Sequence, residues 1–221
     1  MSRVFGLSCV IALSALGAPA QGATADADDD FIPTFAGTPV QELDIRSVDA
    51  RLKDGVFRLS VTTDAPIGQT SSSYYVWGIN RGAGAPRLQF VGAPPSLRPD
   101  LNFDAIFITY ADQSAEFSLL PPSNFVNLAG AVQISGNTLT ALLPLAMLPS
   151  NGFAPWQYEF TVWSHFNPIG PISSANNARI ADFSPTIRAA IPEPSSWAMM
   201  IAGFGLLGTA ARRRQSSVAF A

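Results

Sequence analysis

Val132-Gln133-Ile134-Ser135-Gly136-Asn137-Thr138-Leu139-Thr140-Ala141-Leu142 alternates apolar with polar residues on both sides of Gly136-Asn137. Period-two alternation interrupted by a two-residue Gly/Asn step is the signature of a β-hairpin with one face buried. The same pattern recurs outward in both directions. Upstream, Phe57, Leu59 and Val61 alternate with Arg58, Ser60 and Thr62 after an Asp54-Gly55 turn, with Leu43 to Leu52 as the partner strand. Tyr75, Trp77 and Ile79 alternate with Tyr74, Val76 and Gly78, while Phe103, Ala105 and Phe107 lie opposite Ile106 and Ile108, a strand apolar on both faces. Downstream, Trp156, Tyr158, Phe160 and Val162 mark one face of a last long strand. Pro94-Pro95, Pro121-Pro122 and the stretch from Pro168 to Pro171 punctuate the gaps, and helical spacing is confined to one turn at Leu145 to Leu148. Short strands at even spacing with turn residues between them predict an all-β fold, an antiparallel, jelly-roll-like β-sandwich over residues 31–190.

Composition narrows the function classes. Of 221 residues, 48% are hydrophobic and only 13% charged, with a net charge of −3 and one cysteine. That charge content is about half the ~25% usual for soluble proteins. The acidic balance leaves no basic patch for phosphate contacts, so nucleic acid is excluded as a partner. A lone Cys9 excludes an internal disulfide framework and a cysteine-based zinc cluster. Within residues 31–190 there are 9 basic and 11 acidic side chains, so the charge deficit belongs to the body of the protein.

Both ends read as addresses. Arg3, the apolar run Val4 to Leu16 and the small residues Ala18-Pro19-Ala20 have the layout of a signal peptide over residues 1–20, cleaved by signal peptidase after Ala20. Residues 21–30 contain the acidic run Asp26, Asp28, Asp29 and Asp30, read as a solvated linker, with a calcium-binding tail as the other reading. At the far end Pro192-Glu193-Pro194 precedes 17 uncharged residues from Ser195 to Ala211, then Arg212-Arg213-Arg214 and a tail over 215–221. Seventeen residues is the lower limit for a spanning helix. Trp197, Met199, Met200, Ile201, Phe204, Leu206 and Leu207 supply its apolar surface, and the three arginines hold their end on the cytoplasmic side. That orientation puts the body on the side to which the N-terminal signal would send it.

The tripartite tail resembles the PEP-CTERM sorting signal of Gram-negative bacteria, over Ile191 to Arg214. The resemblance implies recognition of Pro192, Glu193 and Pro194 by an exosortase, a membrane enzyme that processes its substrates near this motif. It implies a protein anchored in the inner membrane with its domain in the periplasm, then moved to the cell surface or extracellular matrix, in a bacterium that makes exopolysaccharide and biofilm. A fainter resemblance runs through the body. Ser47-Val48, Tyr75-Val76-Trp77-Gly78-Ile79-Asn80, Ile134 to Thr140 and Ile180 to Pro185 are similar in order to DOMON-like sandwiches, relatives of carbohydrate-binding modules.

Few residues carry chemistry. His165 is the one histidine, at a strand end, and reads as a polar rim residue. Gly82-Ala83-Gly84-Ala85-Pro86 is a loop, since Pro86 prevents a phosphate-binding helix from following. Asp100, Asn102 and Asp104 match the first positions of a calcium loop, but Ala105 and Ala111 stand where glycine and glutamate belong. Glu159, beside Gln157 and Trp163, is the best candidate acid for glycoside hydrolysis. Tyr74, Tyr75, Trp77, Trp156, Tyr158 and Trp163 offer rings that would stack on a sugar if they face solvent, with Tyr74, Trp77, Tyr158 and Trp163 the ones singled out. Nothing calls for a cofactor. The expectation is an exported, exosortase-processed protein of the cell surface or exopolysaccharide matrix, without catalysis of its own. A carbohydrate-binding module is the alternative, and a surface hydrolase the third reading.

Overall fold

In the computed structural model, which describes residues 23–70, 72–86, 98–121, 124–167, 178–190 and 203–205, the quoted stretch folds back on itself. Strand β10 (Val132–Ser135) pairs with β11 (Thr138–Pro144), Ile134 opposite Leu139. Gly136 carries the one positive φ of this turn, 59°, as a type II′ hairpin requires. The earlier hairpin joins β2 (Ile45–Lys53) to β3 (Val56–Thr63). Asp54 and Gly55 both have positive φ, 51° and 75°, the type I′ geometry that Asp-Gly favours. These hairpins lie side by side in the first sheet, in the order β1-β2-β3-β11-β10, where β1 is Thr24–Ala25.

The second sheet contains β4 (Ser73–Asn80), β7 (Ala105–Tyr110), β8 (Ala115–Leu119), β9 (Val126–Asn127), β12 (Glu159–Phe166) and β13 (Ile180–Phe183) in the order β13-β12-β4-β7-β8-β9. A short β14 (Ile187–Arg188) also pairs with β12. The two sheets face each other across a core that includes Phe57, Leu59, Val61, Leu139 and Leu143 on one side and Tyr75, Trp77, Phe107, Phe160 and Val162 on the other. Each large side chain so buried stabilises the fold by about 1.5–3 kcal/mol. The all-β sandwich expectation is met, but the jelly-roll detail is corrected. The run β12-β4-β7-β8 has Greek-key order, whereas the first sheet is two adjacent hairpins, so the chain does not wrap as two Greek keys.

A second apolar layer lies on the outer face of the second sheet. Val76 and Trp163 pack there with Leu101, Phe103, Ile180 and Phe183. Gly78 makes room for it, because a Cβ at that position would stand 2.8 Å from Cζ3 of Trp163. The strand apolar on both faces is interrupted at Asp104: β6 (Asn102–Phe103) leaves the sheet to pair with β5 (Ala85–Pro86), sending Phe103 into the outer layer. With β4 and β12 buried on both faces, few positions are left for charge. The charge deficit therefore has a structural cause.

Of three further expectations, the single helical turn is met and the other two change. Trp156 precedes β12, in a 3₁₀ turn (Pro155–Gln157), and is 55% exposed. The one-turn helix is a 3₁₀ turn at Leu145–Met147. The acidic stretch is not a free linker: β1 pairs with β2, the Asp26 N–H donates to the Arg46 carbonyl at 2.9 Å, and Asp28 pairs with Arg46. Ala18, Ala20, the signal helix, Pro192, Glu193, Pro194, Trp197, Met199, Met200, Ile201, Leu206, Leu207 and Arg212 to Arg214 lie outside the described residues. Gly203 to Gly205 are helical with Phe204 exposed, and no helix among the described residues is long and apolar enough to cross a membrane.

Candidate functional site

The end of the domain is built by the last residues before the Pro-Glu-Pro motif. After β14 pairs with β12, the chain crosses to the first sheet, where Ala190 forms a parallel bridge with Arg51. The Ala190 N–H donates to the Ala50 carbonyl at 2.8 Å, and its own carbonyl accepts from the Leu52 N–H at 3.0 Å. One short segment thus ties both sheets together, and only Ile191 separates it from Pro192. Beside it lies an open cleft of about 560 Å³ whose lining includes Thr24, Asp49, Glu159, Arg188 and Ala190. Glu159 accepts from Arg188 at 2.9 Å and from Asn80 Nδ2 at 3.0 Å, while Asp49 accepts from Arg51 at 2.7 Å. Both acids of the cleft are paired with an exposed arginine.

Among the rings offered for sugar stacking Trp156 is exposed, Tyr75 is fully buried, and the four singled out do not form a platform. Trp77 and Tyr158 are fully buried and Trp163 is 1% exposed. Trp77 and Tyr158 belong to the inter-sheet core, and Trp163 lies under the outer layer. Trp77 and Tyr158 point between the sheets, and the second apolar layer covers only the face that carries Trp163. Tyr74 remains half-buried, its ring 4.7 Å from that of His165 and its hydroxyl 3.1 Å from Nδ1. His165 itself is buried, which corrects its reading as a rim residue, and burial with Arg179 nearby pushes its pKa down to about 3.

Asp100, Asn102 and Asp104 are not brought together as a calcium loop. Asp100 takes two bonds from Arg98, which hold its carboxyl below its usual pKa. Asn102 donates to the Asp100 carbonyl, and Asp104 turns inward to Arg81. Gly82 and Gly84 give their N–H groups to Asn80 Oδ1, both at 3.0 Å, so the glycine loop is closed by its own neighbour.

A different group of acids does converge. Asp26 and Asp30 from the N-terminal stretch approach Asp44 at the entry to β2 and Asp182 in β13. Burial, with Asp26 and Asp30 nearby, pushes Asp182 up to about 8, and burial with Asp30 pushes Asp26 up to about 7. The sequence signal for this cluster was present in Leu43-Asp44-Ile45 and Ala181-Asp182-Phe183, carboxylates set between core residues. What sequence could not show is that the two strands meet.

Residues 190–214 match the family model described as the PEP-CTERM protein-sorting motif. No curated protein matches the chain. The chain is therefore a sandwich-built, all-β protein that carries a PEP-CTERM sorting motif. The motif marks it as exported, with a membrane-anchored sorting signal at its C-terminus, and the match begins at the residue that closes the sandwich.

Proposed function

We propose that the protein is an exosortase substrate of the cell surface or exopolysaccharide matrix, and that its sandwich is a non-catalytic cargo domain. The observation that carries this reading is the motif over residues 190–214, placed directly behind the Ala190 clamp. Only seven residue steps separate Ala190 from Trp197, so before processing the sandwich edge is held within about 25 Å of the membrane interface. A proline on each side of Glu193 disfavours helix at that residue and removes two backbone N–H donors, a composition that suits presentation to an enzyme in the bilayer. In the periplasm the domain would be tethered first and released or transferred after processing. On the outer face of the first sheet Ser60 is bonded to Thr140 at 3.2 Å and Thr62 to Thr138 at 3.0 Å, so hydroxyls stand there beside Asp49, Arg51 and Arg58 and would face such a matrix.

The test is to follow the full chain, tagged internally, in cells with and without an exosortase. Wild type should shorten and leave the inner membrane only when the enzyme is present. Replacing Pro192, Glu193 and Pro194 together by alanine should trap the full-length membrane form. Equal processing of that variant would overturn the assignment.

A further inference from the structure

Buried carboxylates in this protein fall into two kinds. Glu42, 2% exposed, is fully served: it accepts from the Gly68 and Thr70 N–H groups and from Ser73 Oγ. Asp44 is fully buried, and its Oδ2 accepts from the Asp29 N–H at 3.2 Å, but its Oδ1 is buried with no hydrogen-bond partner. Asp26 Oδ2 is in the same position. A buried carboxylate oxygen in this state is penalised when charged and is stabilised by a proton or a cation.

The arginines nearby are engaged elsewhere. Arg46 pairs with Asp28 and stands 3.9 Å from Asp44 Oδ2 and 3.8 Å from Asp64, so the Asp28, Asp44, Asp64 group has its counter-ion. Arg98 closes on Asp100 at 3.0 Å. The second group shares Asp44, and with it only the 3.9 Å approach of Arg46; no ion pair is formed by Asp30 or Asp182 among the described residues. One oxygen each from Asp30, Asp44 and Asp182 lies within 4.8 Å of the other two, and Asp182 is 1% exposed. Its own carboxylate is oriented by the Ile45 N–H at 2.8 Å and the Phe183 N–H at 2.6 Å.

We propose that Asp30, Asp44 and Asp182, with Asp26 alongside, hold a calcium ion that fastens the N-terminal stretch to the sandwich. All the donors are hard oxygens, and their separation is within the roughly 5 Å that two oxygens on one Ca²⁺ span. Magnesium, with shorter bonds and near-octahedral demands, fits an irregular group of this kind less well. Asp30 is exposed and leaves the site open to water on that side. The inference is independent of the sorting motif: it concerns how the exported domain is held together.

The test uses the full chain in detergent, stripped with EDTA and titrated with Ca²⁺ alone, followed by calorimetry and thermal melting. Half-saturation is expected on the order of 0.1–1 mM, as in extracellular calcium modules, with a saturable rise in Tm. Asp30→Asn, at an exposed position, should fold in EDTA as wild type does and bind at least tenfold more weakly. Asp182→Asn should lose binding altogether, and if it fails to fold the Asp30→Asn comparison decides. No heat and no Tm shift in wild type up to about 10 mM Ca²⁺, well beyond that range, would overturn the site. So would an Asp30→Asn affinity equal to wild type, or an equal response to Mg²⁺.

Discussion

Arg81 Nε and Asp104 Oδ1 stand 3.1 Å apart, in residues 5% and 3% exposed. Asp104 Oδ1 also accepts the Arg81 N–H at 3.0 Å, and its Oδ2 accepts from Asn151 Nδ2 at 2.7 Å. The guanidinium continues to the Pro149 carbonyl at 2.6 Å. This network sits where β6 leaves the second sheet, so it fixes the break that sends Phe103 to one core and Ala105 to the other. Removing one partner of a buried pair leaves the other charge uncompensated, at a cost of about 3–5 kcal/mol. Asp104→Ala should lower stability by that amount in urea unfolding, and a loss below 1 kcal/mol, the ordinary range for exposed pairs, would show that the pair is not structural.

Gly82 approaches the loop at 151–153 so closely that a Cβ would lie 2.4 Å from the Phe153 nitrogen and 2.7 Å from the Asn151 carbonyl oxygen. Its φ of 121° adds backbone strain for any other residue. Gly82→Ala is predicted to destabilise by about 1–3 kcal/mol, whereas Gly130→Ala, with open space around it, should cost only the strain of its positive φ. Thermal melts of the two variants check the order, and equal losses would contradict it.

His165 sets an acid limit on stability. An unfolded chain protonates histidine near pH 6.5, while burial, with Arg179 nearby, holds His165 neutral in the folded chain down to about 3. Its contribution is complete above pH 6.5 and is lost as the pH falls toward 3. In the calcium-free protein Asp26 and Asp182 act with the opposite sign, because folded pKa values of about 7 and 8 favour the folded state at low pH and lose that effect as pH rises through them. Comparing wild type with His165→Phe isolates the histidine. The urea midpoint of wild type should fall more steeply between pH 7 and pH 4, and parallel profiles would refute the assignment.

Glu159 accepts from Arg188 and Asn80, and Trp77, Tyr158 and Trp163 are buried away from solvent. Wild type should release no reducing sugar from polysaccharides, and Glu159→Gln should leave retention on polysaccharide resins unchanged. Turnover that Glu159→Gln abolishes would reinstate the hydrolase reading.

Much of the fold was legible because two-residue turns leave a chemical trace. Asp54-Gly55 and Gly136-Asn137 both stand where the hairpins turn, and the facing residues Phe57, Leu59, Val61 and Leu139 followed from alternation. The outer layer was not legible, since Leu101, Phe103, Trp163 and Phe183 meet only in three dimensions. That layer is why Trp163 is buried, and the break at Asp104 is why one apparent strand serves two cores. The acid cluster failed for the same reason: Asp30, Asp44 and Asp182 are far apart in sequence, and only the pairing of the N-terminal stretch with β2 brings the first two together. The sorting motif lay open to reading because it is contiguous.

The account stands most directly on what becomes of the C-terminus. Intact-mass analysis of the exported protein, recovered from outside the inner membrane, should find a chain that ends near Pro192-Glu193-Pro194 and lacks Trp197 to Ala221. An exported protein that still carries Arg212-Arg213-Arg214 would contradict it.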